Sequence, residues 1–200
     1  MDKDYIIEAF DKYNELDSLI ALGILNRIKK PDWKVSIASP SQDVSSMNGV
    51  VIQSTSSLED VNTADAVLIG SGMKTREIAS DKELMNKLKL DPSRQLIGAQ
   101  CSGTLILSKL GLLNNIPACT DVTTKPWVVE AGVSVLNQPF YAKDNIATAG
   151  GCLSSVYLAA WVIARLEGLD AAKNAIDYVA PVGEKEEYVL RTLKNIEPYL

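Results

Sequence analysis

The chain has 200 residues, 46 % of them hydrophobic, and 20 Lys and Arg against 25 Asp and Glu give a net charge of −5. Such a length suits one domain over residues 1–200 with a real core, and the acidic balance, with no stripe of Lys or Arg, speaks against nucleic acid. No run nears the roughly 18 apolar residues of a membrane span, no basic-then-apolar leader opens the chain, and the lack of histidine removes Ser-His and Cys-His catalysis and imidazole metal ligands.

Strands and helices alternate along the chain. Residues 5–10 read as a first apolar strand. Leu16, Leu19, Ile20, Ile24 and Ile28 recur at helical spacing, predicting a helix over 15–29 that closes on Arg27, Lys29 and Lys30. Trp33, Val35 and Ile37 alternate with polar residues as a half-buried strand, and residues 50–53 form an edge strand or hairpin arm. Residues 66–69 are a short, fully apolar run of the parallel-sheet kind, ending in Gly70-Ser71-Gly72. A helix is predicted over 81–90, barred from extension by Pro92.

Residues 96–99 are a second buried strand, which meets a helical pattern at Cys101 carried by Leu105, Ile106, Leu107 and Leu110 and stopped by Gly111. A strand is expected over 118–122, a hairpin about Lys143-Asp144, and a nearly all-apolar helix over 152–166 capped by Gly168. Helices over 171–178 and 184–195 close the chain. The order predicts an α/β sandwich, a mostly parallel sheet covered on both faces, with ligand sites at the carboxyl ends of the strands. Phe10, residues 70–72 and Cys101 would share that edge.

A cysteine between a strand end and a helix start sits where backbone N–H groups and the helix dipole favour negative charge, which lowers a thiol's pKa and makes it a nucleophile. The plainer alternative is a small residue filling a gap. Three cysteines, Cys101, Cys119 and Cys152, form an odd set without CxxC spacing, so neither a disulfide framework nor a metal site is expected. A reducing cytoplasm is the natural setting.

Asn14-Glu15-Leu16-Asp17, the glycine-containing turn after Ile69, Ala99-Gln100-Cys101-Ser102-Gly103, Thr123-Thr124-Lys125-Pro126-Trp127 and Thr148-Ala149-Gly150-Gly151 together resemble the DJ-1/PfpI superfamily, most closely its isonitrile hydratase branch. The resemblance implies a flavodoxin-like sandwich, a nucleophile elbow at Cys101 and a homodimer. It implies Cys101 as the reactive thiol, Asp17 as the carboxylate facing it, and main-chain N–H groups of Gly72 and Ser102 as oxyanion donors. It also sets Ser71, Thr124 and Trp127 near a small-molecule substrate. Two departures stand out: Gly70-Ser71-Gly72 replaces the usual Pro-Gly-Gly turn, and Lys125 lies where a histidine often follows Thr-Thr.

Asp17 is the proton carrier available to a chain without histidine. Two like charges a few ångströms apart disfavour double ionisation, so the pair is expected to share one proton, held by Asp17 beside a thiolate. On helix position alone, Asp17 reads first as a solvated carboxylate favouring the dipole. Glu15 falls on another face of the helix. Cys119, Cys152, Trp127 and Tyr157 read first as packing residues. No third glycine completes Gly-x-Gly-x-x-Gly, so no dinucleotide or other cofactor is expected.

These residues suit a cysteine-dependent hydratase or hydrolase of a small electrophile, with isonitrile hydration to a formamide as the leading candidate. Glyoxalase or deglycase chemistry on 2-oxoaldehydes and a redox sensor acting through Cys101 are the alternatives. Amide hydrolysis is disfavoured, because its poor leaving group needs an acid that histidine would supply.

Overall fold

The computed structural model describes residues 3–200. In chain order, β1 (Lys3–Glu8) leads to α1 (Glu15–Leu25), β2 (Trp33–Ser39), β3 (Asp43–Ser45), β4 (Val51–Gln53) and β5 (Ser56–Ser57). After a 3-10 turn at Leu58–Asn62 come β6 (Ala66–Ile69), α2 (Thr75–Ser80), α3 (Lys82–Lys87), β7 (Leu96–Gln100), α4 (Gly103–Lys109) and α5 (Lys125–Glu130). The hairpin β8 (Phe140–Lys143) and β9 (Ile146–Ala149) precedes α6 (Ser155–Glu167), α7 (Leu169–Val179) and α8 (Lys185–Ile196).

Seven strands form one sheet in the order β5-β2-β1-β6-β7-β9-β8, parallel throughout except for β8 against β9. β3 and β4 make a separate two-stranded sheet. Helices cover both faces, as the alternating pattern predicts. On one face, Tyr5, Ile7, Leu68 and Phe140 pack with Ala21, Ile24, Leu158, Trp161 and Ile176 of α1, α6 and α7. On the other, Ile6, Val67, Ile69 and Ile97 pack with Ile78, Leu105, Ile106 and Val128 of α2, α4 and α5. The central strands β6 and β7 are buried at every position, which is why they read as unbroken apolar runs.

Several expected boundaries move. α1 stops at Leu25, where the Asn26 side chain donates to the Leu22 carbonyl, so Arg27, Lys29 and Lys30 lie beyond it; Lys30 instead pairs with Glu167. Residues 118–122 form no strand; Ala118 makes only an isolated bridge to Val135, because the sheet edge there is taken by β9 and β8. The helix expected over 81–90 ends at Lys87, with Leu88 extended and buried. α2 and α5 are short helices that lack the long apolar periodicity a sequence reading needs. The helix expected from residue 152 opens as a 3-10 turn at Cys152–Ser154 before α6.

β1 also carries a charge-bearing residue in its core. Glu8 is fully buried, pairs in register with Ala38 and Ile69, and neither carboxylate oxygen has a hydrogen-bond partner among the described residues. Burial alone raises its pKa to about 8. The native state therefore holds a proton that the unfolded chain releases near pH 4.3 (about the free-glutamate value). Stability from this group is complete below that point and falls as pH rises towards 8. Glu8→Gln should melt above the wild type at pH 8, with the gap closing towards pH 4.5; thermal melts at the two pH values check this, and a gap independent of pH would contradict it.

Candidate functional site

β7 ends at Gln100, and the chain turns so sharply that Cys101 takes φ +47°, a left-handed conformation that costs a residue with a Cβ on the order of 1–3 kcal/mol. The surroundings hold it there. The Cys101 N–H donates to the Ala149 carbonyl at 2.8 Å, and Thr120 Oγ1 donates to the Cys101 carbonyl at 2.7 Å. At Gly103, a Cβ would stand 2.6 Å from the carbonyl oxygens of Ile69 and Gly70, so only glycine lets the elbow press against the loop after β6. α4 begins two residues after the sulfur, with Ser102 at its N-cap.

Asp17 reaches the elbow from the first turn of α1. Asn14 caps that turn, its side-chain oxygen accepting from Leu16 N–H at 3.1 Å. Asp17 is 2 % exposed. Its Oδ1 accepts from Cys101 Sγ at 4.0 Å, and its Oδ2 accepts from Ser71 Oγ. Gln100 Nε2 donates to the Gly151 carbonyl at 2.8 Å and lies 3.5 Å from Cys101 Sγ. Cys152 completes the cluster, its sulfur accepting from Asn14 Nδ2 at 3.2 Å. The ligating atoms of Asp17, Cys101 and Cys152 lie within 4.8 Å of one another, three donors that could hold a metal ion and that their spacing in sequence concealed.

The electrostatics differ from the sequence expectation. Burial pushes the Cys101 thiol well above its ordinary value, the Asp17 charge adds to this, and the Gln100 amide opposes it. Burial raises Asp17 as well, against the lowering effect of its hydrogen bonds from Ser71, Cys152 and Cys101. Asp121 adds negative potential to both. The pair thus retains one proton at neutral pH. Asp17 accepts from Ser71, Cys152 and Cys101, which favours its charged form and leaves that proton on sulfur rather than on the carboxylate. A start of helix only seven residues long does not offset the desolvation of a thiol that is 4 % exposed.

The loop after β6 lies beside the elbow. Gly72 N–H donates to Ser102 Oγ at 3.2 Å, and Ser102 Oγ is 2.7 Å from Thr75 Oγ1. Thr124 and Trp127 belong to the α5 segment: Thr124 N–H donates to Asp121 Oδ1, and Trp127 lies under the Arg76 guanidinium at 4.6 Å. The hydrogen bonds around Cys101 and Asp17 include neither residue. Glu15 turns away to accept from Ser46 Oγ. Cys119 is fully buried, its thiol pushed up to about 12 by burial.

Of the hollows, a wide one of about 390 Å³ between α1, α6, α7 and α8 is lined mainly by aliphatic side chains and contains no nucleophile. The thiol and carboxylate cluster lies instead at the elbow. Behind it a void of about 10 Å³, the size of one water, is bordered by Asp17, Ser18 and Gln100. Ser18 Oγ and Gln100 Oε1 have no partner there among the described residues. Ser18, Thr75 and Asp121 carry no signal in sequence; Gln100 lies in the motif around Cys101, and a polar residue at the end of an all-apolar strand is the further signal it offers.

The sequence profile of the DJ-1/PfpI family matches residues 3–165. The chain belongs to the DJ-1/PfpI family. This family member is 21 % identical over 131 residues to an isonitrile hydratase of Pseudomonas putida, an alignment covering 65 % of this chain and 58 % of that protein. A ThiJ/PfpI family protein from Pseudomonas syringae superposes with a TM-score of 0.79 at 18 % identity, over 98 % of this chain and 88 % of its own. DJ-1 of Schizosaccharomyces pombe gives 0.75 at 15 % identity, over 89 % and 99 %. The DJ-1/PfpI sandwich is therefore this chain's fold, and its cysteine lies at the strand-to-helix turn.

Ser71 stabilises the charged form of Asp17 through its hydroxyl. Ser71→Ala should raise the Asp17 pKa further, seen as an upward move of the side-chain carboxyl carbon titration by NMR. A titration that stays in place would mean that the hydroxyl does not set the charge state of the carboxylate.

Proposed function

We propose that the chain is a cysteine-dependent enzyme that adds water across a small electrophile, with isonitriles as the substrate class, Cys101 as nucleophile and Asp17 as proton carrier. The single observation that carries this reading is the 4.0 Å approach of a buried thiol to a buried carboxylate at a strained elbow. The similarity to the Pseudomonas putida isonitrile hydratase supports the substrate class. Family membership supports a homodimer, and three cysteines free in the fold suit a reducing compartment such as the cytoplasm.

With the resting proton on sulfur, Asp17 takes it as the sulfur attacks the terminal isonitrile carbon. The same carboxyl then delivers the proton to that carbon, leaving a thioimidate on Cys101. Water adds to the thioimidate, its proton passing through Asp17 to nitrogen. The C–S bond breaks, the sulfur regains its proton, and the product is a formamide. Isonitrile plus water balances formamide, and no oxidant or cofactor enters. The main-chain N–H groups of Gly72 and Ser102 would donate to the charge that develops on the substrate; Gly72 would exchange its Ser102 Oγ partner for substrate. Thr124 and Trp127 would border the substrate's organic group only if α5 approaches the elbow when substrate binds.

Incubation with an aromatic isonitrile should yield its formamide. Cys101→Ala should abolish turnover, and Asp17→Asn should lower kcat/KM by about 10²- to 10⁴-fold, the usual worth of positioned acid–base catalysis. Turnover of methylglyoxal without turnover of any isonitrile would replace the substrate class, and unchanged rates in both variants would remove the two residues from the reaction.

A further inference from the structure

Cys152 has no part in the hydration chemistry, yet the fold brings it to the nucleophile. β7 and β9 run parallel with Gln100 opposite Ala149, so the residues that follow, Cys101 and Gly150, leave the sheet side by side. Neighbouring strands lie about 4.8 Å apart. Two further hydrogen bonds tie the segments together beyond the sheet: Cys101 N–H to the Ala149 carbonyl, and Gln100 Nε2 to the Gly151 carbonyl. The two sulfurs lie within 4.8 Å of each other, against about 2.05 Å in a disulfide. Cys152 opens a 3-10 turn preceded by Gly150-Gly151, with Gly151 at φ +88°, a stretch not fixed by a regular helix or strand.

We propose that Cys152 is a resolving thiol for Cys101: a peroxide oxidises Cys101, and the two sulfurs close into a reversible disulfide that shuts the enzyme off. The inference rests on Cys101 being the reactive thiol of the proposed function. In the first step the Cys101 sulfur attacks one peroxide oxygen and the O–O bond breaks. This gives a sulfenic acid and the alcohol or water of the peroxide, and the thiol proton goes to the leaving oxygen. In the second step the Cys152 sulfur attacks the sulfenic sulfur, the S–O bond breaks and water leaves. Asp17 lies within reach of both sulfurs and is placed to pass the Cys152 proton to the departing hydroxide. Asn14 Nδ2, donating to Cys152 Sγ, stabilises negative charge on that sulfur as it attacks. A dithiol reductant reverses the bond. Cys152 is partly exposed whereas Cys119 is fully buried, so the two remaining cysteines differ in access as well as in distance.

The test is peptide mass mapping of the protein after two equivalents of hydrogen peroxide, enough to carry an unresolved sulfenic acid on to sulfinic acid, and alkylation under denaturing conditions. A Cys101–Cys152 linked peptide, lacking two hydrogens and cleaved by dithiothreitol, is expected, with Cys119 alkylated. Cys152→Ser should instead accumulate sulfinic acid at Cys101, and dithiothreitol should no longer restore the activity that the wild type recovers. Sulfinic acid at Cys101 in the wild type with Cys152 free would overturn the resolving role while leaving Cys101 a nucleophile. A Cys101 that stays unoxidised would overturn both this inference and the reading it rests on. The wild-type mapping decides the matter by itself if the variant does not fold.

Discussion

Two acids with ordinary values far apart, a thiol and a carboxyl group, meet at 4.0 Å where water is largely excluded. Burial penalises the charged form of each, and the charge of one raises the other. They consequently behave as one unit with one proton. In the proposed reaction, attack by the sulfur and capture of its proton by Asp17 would be a single rearrangement inside the pair, which leaves the site's net charge unchanged while the proton moves. A thiolate held permanently at this depth would need more compensation than the Gln100 amide gives, since the charges of Asp17, Cys152 and Asp121 all act against it. The strained φ of Cys101 belongs to the same arrangement, since it turns the side chain off the strand towards α1.

The sheet supplies the precision. β6 and β7 sit at its centre, buried on both faces, so the loop at 70–72 and the elbow at 101–103 leave from fixed neighbouring positions. Gly103 removes the one side chain that would hold them apart. On the opposite side of β7, β9 fixes the exit of the 150–152 segment. Cys101, the Gly72 amide and Cys152 are thus delivered by strand register, and only Asp17 comes from a helix.

Much of this was legible in the amino-acid order. The fully apolar stretches at 66–69 and 96–99 identify central parallel strands, and Cys101 at the end of one identifies the elbow. Asp17 is legible through its motif rather than from helix position, which by itself favours a solvated carboxylate. What was not legible depends on distance in space. The 50 residues between Cys101 and Cys152 conceal a pair of sulfurs within 4.8 Å. Glu8 is one polar position in an apolar strand, and residue order alone does not show that both its carboxylate oxygens are buried without partners among the described residues. α2 and α5, six residues each, are held by tertiary contacts to α4 and the sheet rather than by their own periodicity. The direction of the Cys101 shift was also missed, because a strand-to-helix turn in sequence indicates donors but not the depth at which the sulfur lies.

The shared proton is tested most directly by the ultraviolet absorbance of the thiolate, titrated in the wild type and in Asp17→Asn, with Cys101→Ala subtracted to isolate the one sulfur. Removing the carboxylate charge should let Cys101 ionise at lower pH than in the wild type. If the two curves superimpose, or if the wild-type thiol already titrates below its ordinary range, the sulfur and the carboxylate do not hold a common proton.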